Sequence, residues 1–132
     1  MLHVFAYGSL MYPDVFFQVT GSSPVSVPAI AHHWSRYGLK NRTYPGAVPD
    51  FQKNAAITGV IWLEVTPKAL AALDRFEGHE YRRVAIEVVS QSGPHPAQIY
   101  EWLMPDLLDG AWDPIEFERS HRHNFAQLHQ TS

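Results

Sequence analysis

Short apolar runs, separated by turn residues and with few residues left over for connecting helices, are what most restrict how this chain can fold. HVFAY (His3 to Tyr7) is apolar and aromatic and stops at Gly8. GSSPVSVP (Gly21 to Pro28) reads as a loop, AIAHHWSRYGL (Ala29 to Leu39) as a second extended run, and NRTYPGAVPD (Asn41 to Asp50) as turn formers gathered around Tyr44. AAITGVIWLEV places Ala55, Ile57, Ile61, Leu63 and Val65 on one side of a strand, with Gly59 where a bend or a close backbone approach is expected. YRRVAIEVVS puts Val84, Ile86 and Val88 on one side; QSGPHP (Gln91 to Pro96) reads as a connecting turn and AQIYEWL as the partner strand. Most of these strands are joined by loops rather than by crossover helices, so the organisation is α+β.

Three stretches read as helical. Pro13 opens a short turn containing Val15, Phe16 and Phe17. Thr66 is a suitable N-cap and Pro67 a suitable first helical residue, so KALAALDRFE forms a short helix that Gly78 ends as a left-handed cap. Asp113, Pro114 and Glu116 make a capping start for a last helix reaching about Leu128. With 132 residues, 45% of them hydrophobic, and no internal repeats, residues 1–132 fit one domain that buries its own core.

Composition removes several classes of function. The absence of cysteine excludes a disulfide framework, Cys-based zinc sites and a thiol nucleophile, and suits a reducing cytoplasm. MLHVFAYGSL does not resemble a signal peptide, and no apolar run is long enough to span a membrane. A net charge of −3 with mixed signs supplies no basic stripe for a nucleic acid backbone. Nothing in the sequence sets an oligomeric state.

One acidic residue interrupts the helical pattern. Leu70, Leu73 and Glu77 recur at the spacing of one helical face, and that face is expected to be buried. A carboxyl group buried at a helix C-terminus, where the partial charge is negative, is pushed toward its protonated form, as a group that both takes and returns a proton requires. The competing reading ties Glu77 to Arg75, Arg82 or Arg83 as a structural ion pair. A second candidate is AYGSLMYP (Ala6 to Pro13), where a strand ends in Gly-Ser before a helical turn. Its consecutive backbone N–H groups could hold a carboxylate or a developing oxyanion, and Gly8 lets the backbone approach closely. The competing reading here is a plain tight turn. Ser9 lacks the G-x-S-x-G surroundings of a nucleophile elbow.

Lesser candidates are a metal site among His121, His123 and His129, for which no ligand motif appears; a carbohydrate platform among Trp34, Trp62, Trp102 and Trp112, better read as buried anchors; and a glycosidase pair from Asp74, Glu77 and Glu80.

FAYGSL, TYPGAV, TGVIWLEV and LDRFEGHEYRR occur in the order seen in the gamma-glutamylcyclotransferase-like proteins, and the chain resembles that family, its gamma-glutamylamine branch in particular, over most of residues 3 to 103. The resemblance implies a small mixed, mainly antiparallel β-barrel with short flanking helices and a C-terminal helix. It makes Glu77 the catalytic acid/base, Tyr7, Gly8, Ser9 and Leu10 the substrate-holding loop, and Tyr44 and Tyr81 further pocket residues. The implied reaction closes a 5-oxoproline ring from a small-molecule gamma-glutamyl substrate without a metal or organic cofactor. Family members acting on free gamma-glutamyl amino acids tend to carry asparagine where this chain has Leu10, which leaves gamma-glutamylamines and other small amine conjugates as the expected substrates. The alternative from another class is a binding module that captures a small metabolite or a peptide tail on the same barrel.

Overall fold

The computed structural model of the chain describes residues 1–112 and 114. Its strands are β1 (Leu2–Ala6), β2 (Ser26–His32), β3 (Trp34–Tyr37), β4 (Gly46–Pro49), β5 (Ala56–Val65), β6 (Tyr81–Ser90) and β7 (Gly93–Trp102). Its helices are α1 (Pro13–Thr20) and α2 (Pro67–Glu77), with single helical turns at Ser9–Met11 and Pro105–Leu107. The expected last helix from Asp113, with its three histidines, lies outside the described residues.

Five strands run in the order β1-β5-β2-β6-β7, and a parallel pairing of β1 with β7, Val4 opposite Gln98, closes them into a barrel. β4 runs parallel to β7 further along, Ala47 opposite Glu101, and carries β3 on its outer side. The other pairings are antiparallel. The expected α+β, mixed and mainly antiparallel barrel is therefore what the chain forms. Because β6 occupies one edge of β7, β1 and β4 share the other edge in succession. The loop that follows β1 leaves the sheet where β4 takes over.

Strand alternation splits the core into two layers. Phe5, Tyr7, Ile57, Ile61, Val88 and Ile99 fill one cluster, while Val4, Ala6, Trp62 and Tyr100 pack with Val15, Phe16, Leu70 and Leu73 of the two helices. Trp34, Trp62 and Trp102 are buried anchors, as expected, and Trp112 is half-buried. Gly59 meets its expected close approach: a Cβ there would collide with the Ala6 carbonyl and the Phe5 ring.

Several boundaries differ from the sequence reading, for identifiable reasons. Residues 26–28 belong to β2 rather than to a loop, residues 46–49 form β4, and β7 begins at Gly93, leaving only Gln91 and Ser92 as the turn. Pro28, Pro94 and Pro96 suggested loops, yet each sits where its strand has a ladder partner on one side only, so the missing N–H is not needed there. The extended run at Ala29 to Leu39 is broken at His33, which has φ of 67°, and so becomes two strands. Val65 does not share a side with Ile61 and Leu63: the β1–β5 register shifts between Leu2 and Val4, Glu64 adopts φ of 53°, and the bulge turns Val65 toward the helices. Phe17 is 54% exposed while Val15 and Phe16 are buried.

Candidate active site

α2 forms where the local chemistry directs it. Pro67 occupies its first turn, the Thr66 side chain accepts a hydrogen bond from the Ala69 N–H at 3.1 Å, and Leu70 and Leu73 face the core. Gly78 ends it with φ of 78° and ψ of −167°, a positive-φ conformation outside the left-handed helical basin that was expected and one essentially confined to glycine. This stop puts Glu77 in the last turn, facing the loop after β1.

A pocket lies at that junction, lined by Tyr7, Gly8, Ser9, Leu10, Tyr44, Glu77 and Tyr81 together with Val4, Phe5, Ala6, Pro45, Phe76 and Tyr100. Its cavity volume is only about 30 Å³, a narrow slot with largely apolar walls. All seven residues singled out in the sequence come together here, from four separate segments. Tyr100, Pro45 and Phe76 were missed; Tyr100 is delivered by the β6–β7 hairpin from the far end of the barrel chain, a proximity that no local pattern carries.

The pocket walls are held by buried hydrogen bonds. Tyr7 Oη donates to the Tyr100 carbonyl at 2.6 Å, Tyr81 Oη donates to the Pro45 carbonyl at 2.7 Å, and Trp62 Nε1 donates to the Leu10 carbonyl at 2.9 Å. A Cβ on Gly8 would lie 2.7 Å from the Pro45 ring, so only glycine lets the loop and the Tyr44–Pro45 wall approach this closely. Burial raises the Tyr7 and Tyr81 hydroxyls well above their usual value, and they stay protonated donors.

Of the three arginines close to Glu77 in sequence, Arg75 is exposed and pairs with no acid among the described residues, while Arg82 and Arg83 are engaged elsewhere. Arg83 grips Asp74 with Nε at 3.0 Å and Nη2 at 3.3 Å, Arg82 pairs with Glu101 at 2.8 Å, and Arg42 holds Glu80 through both Nη atoms. Tyr100 Oη donates a further 2.6 Å bond to Asp74. Asp74 and Glu80 thus take the ion pairs on either side of Glu77, and among the described residues no cation partners Glu77 itself. This also removes the glycosidase arrangement, since neither neighbouring carboxylate is free to serve as the second member of a pair. Burial first, and the Asp74 charge second, push the Glu77 carboxyl from 4.5 up to about 8. Among the described residues no group of His, Asp and Glu side chains is arranged as metal ligands would be. None of the helices among them is long and apolar enough to cross a membrane.

A family model described as gamma-glutamyl cyclotransferase, AIG2-like, matches residues 4–116. The chain belongs to the AIG2-like gamma-glutamyl cyclotransferase family. Among the relatives of this family member, AIG2-like protein B of Arabidopsis thaliana is 32% identical over 130 residues, covering 95% of this chain and 74% of the relative. A solution structure of another Arabidopsis thaliana protein matches with a TM-score of 0.74 at 30% identity, covering 98% of this chain and 80% of that one. A structure described as gamma-glutamyl cyclotransferase matches with a TM-score of 0.64 at 13% identity, covering 98% and 86%, and shares the fold.

Proposed function

We propose that this protein is a cyclotransferase that acts on a gamma-glutamyl amine or a related small conjugate and releases 5-oxoproline and an amine. The observation that carries the reading is Glu77: a half-buried carboxyl group lining the pocket, its pKa raised toward neutrality, with no arginine paired to it among the described residues. A structural ion pair would instead supply a cationic partner and lower the carboxyl pKa. Family membership supplies the reaction class.

The chemistry needs little more than folding the substrate and moving protons. Glu77 as carboxylate accepts a proton from the substrate's α-ammonium, and the freed amine attacks the γ-carbonyl carbon of the same molecule. A carbon–nitrogen bond forms and the carbonyl oxygen becomes an oxyanion, which the Gly8, Ser9 and Leu10 N–H groups receive. Glu77 passes its proton to the departing nitrogen, the second carbon–nitrogen bond breaks, and the ring closes as a lactam. In all, two protons leave the α-nitrogen and two reach the departing amine, so a single carboxyl group that cycles between its forms suffices. Nucleophile and electrophile share one molecule, so the slot's main contribution is to hold the chain bent for attack. Leu10 gives the loop an apolar side chain beside the departing group, in keeping with a leaving amine rather than a leaving amino acid.

The test is 5-oxoproline release from a panel of gamma-glutamyl compounds by the natural protein and by Glu77→Gln. The variant keeps size and hydrogen-bonding capacity and is expected to stay folded and bind substrate while losing roughly 10²–10⁴-fold in rate. Substrate binding without turnover by the natural protein would assign the pocket to capture instead. Near-normal turnover by Glu77→Gln would end the acid/base assignment.

A further inference from the structure

Among the described residues, Arg36 contacts the pocket loop and meets no acid. It lies on β3, its Nη1 donates to the Tyr7 carbonyl at 2.7 Å, and its guanidinium sits over the Trp112 ring at 5.3 Å from the centroid. Among the described residues it forms no salt bridge. A half-buried arginine without a carboxylate is costly to keep, because its charge is taken from water with nothing of opposite sign to replace the loss. Ordinary packing does not require it. What the charge does meet is one peptide group, and that group joins Tyr7 to Gly8 at the head of the pocket loop.

In a trans peptide the C=O of one residue and the N–H of the next are fixed on opposite sides of the same plane, and no cis peptide occurs among the described residues. Holding the Tyr7 oxygen therefore also sets the Gly8 N–H, which is turned away from Arg36. Gly8 itself lines the pocket, and its α-carbon is packed against Pro45. A rotation of this peptide by half a turn would present a carbonyl oxygen in place of a donor and would repel an oxyanion. The Tyr7 side chain cannot prevent that rotation alone, because its hydroxyl is tied to the Tyr100 carbonyl through a flexible side-chain arm.

We infer that Arg36 is a positioning residue for the cyclotransferase reaction: from outside the pocket it holds the Tyr7–Gly8 peptide in the orientation that offers the Gly8 N–H to the developing oxyanion. The charge at the carbonyl also draws electron density from the amide nitrogen and makes that N–H a stronger donor. The inference rests on the cyclotransferase reading for its kinetic consequence, but the peptide orientation is measurable without turnover. A second groove, of about 390 Å³ and lined by Arg36, Ser35, Thr58 and Trp112, opens Arg36 to small solutes and makes chemical rescue practicable.

The experiment compares the natural protein with Arg36→Gln, Arg36→Lys and Arg36→Ala, reading the backbone amide signal of Gly8 by nitrogen-15 NMR alongside kcat and KM. With folding verified from unshifted signals of Ile61 and Val88, the Gly8 amide is expected to move in Arg36→Gln and Arg36→Ala. kcat should fall by about 10–100-fold, as misplacement of one oxyanion donor predicts, with KM changed by less than about threefold. Arg36→Lys should recover part of kcat, and methylguanidinium added to Arg36→Ala should restore kcat and return the Gly8 signal toward its natural position. A folded Arg36→Gln with an unmoved Gly8 amide overturns the inference, as does a loss confined to KM. Should Arg36→Gln not fold, Arg36→Lys carries the same two readouts. If the natural protein released no 5-oxoproline, the proposed function would fall while the Gly8 signal still reported on Arg36.

Discussion

At the scale of single residues, the pocket separates two roles that carboxylates can have. Asp74 and Glu77 stand three positions apart on α2, close enough for one charge to act on the other. Asp74 is held by Arg83 and Tyr100, and its charge adds to burial in raising Glu77 to about 8. Tyr7, Tyr44, Tyr81 and Tyr100 also face Glu77, and all have their hydroxyl pKa raised, so they remain neutral beside it. If the carboxylate is the form that accepts the ammonium proton, kcat/KM should rise with pH through an apparent pKa near 8. Asp74→Asn removes the repelling charge and leaves Arg83 unpaired, both of which lower that limb. Arg83→Gln bares Asp74 and should raise it. Burial is the larger cause, so the limb in Asp74→Asn stays above 4.5. A pH profile in which both variants move the limb the same way would sink the electrostatic account.

The same shift has a consequence for stability, with a sign opposite to that of a paired acid. The folded Glu77 holds its proton up to about 8 whereas the unfolded chain releases it near 4.5, so between these values the folded state binds more protons. Its contribution is complete below the unfolded pKa and is lost as pH rises through about 8. Glu77→Gln carries no such proton. Its melting temperature should therefore decline less than that of the natural protein between mildly acidic pH and pH above about 8, the reverse of what losing a buried ion-pair partner would cause.

At the scale of elements, α2 was legible at both ends because its signals are local: a capping threonine, a proline in the first turn and a terminating glycine are each read by the backbone within four residues. Thr66→Ala removes an acceptor for the Ala69 N–H and should cost about 1 kcal/mol in denaturant unfolding, with kcat per folded molecule unchanged, since the cap lies at the opposite end of α2 from Glu77. A kcat loss matching that of Glu77→Gln would show instead that the helix repositions its acid when the cap is lost. β2 and β7 were misjudged at their starts, and β4 was missed within a stretch read as turn formers, because proline reports only that an N–H is absent. Whether that N–H is needed depends on which neighbours the strand acquires. The bulge at Glu64 is of the same kind: it arises from the β1–β5 register, and nothing in LEV announces it.

At the scale of the whole molecule, the barrel interior and the helix-facing layer share the strands but not the side chains. Ile61, fully buried in the interior, should cost about 2–5 kcal/mol when cut to alanine, whereas Phe51→Ala, at 84% exposed, should stay within about 0.5 kcal/mol. Equal losses for the two in a denaturant titration would mean that the interior layer does not hold the barrel together.

What followed from the amino acids alone was whatever short-range chemistry controls: the α+β organisation, the helix that carries Glu77, the close approach at Gly59, and the ordered motifs that pointed to a family and to seven pocket residues. Alternation even separates Arg82 from Arg83, since neighbours on a strand face opposite ways. The decisive electrostatics came from elsewhere. Glu80 finds its arginine 38 positions earlier, Tyr100 reaches Asp74 from 26 positions later, and Arg36 reaches Tyr7 across 29. Those partners are set by β1 and β4 sharing one edge of β7, a pairing between distant segments whose register depends on how both layers pack. Three nearby arginines made an ion pair for Glu77 the better reading from spacing alone; the closed barrel gives Arg82 and Arg83 other acids, Arg75 is exposed, and Glu77 is left without a cationic partner among the described residues.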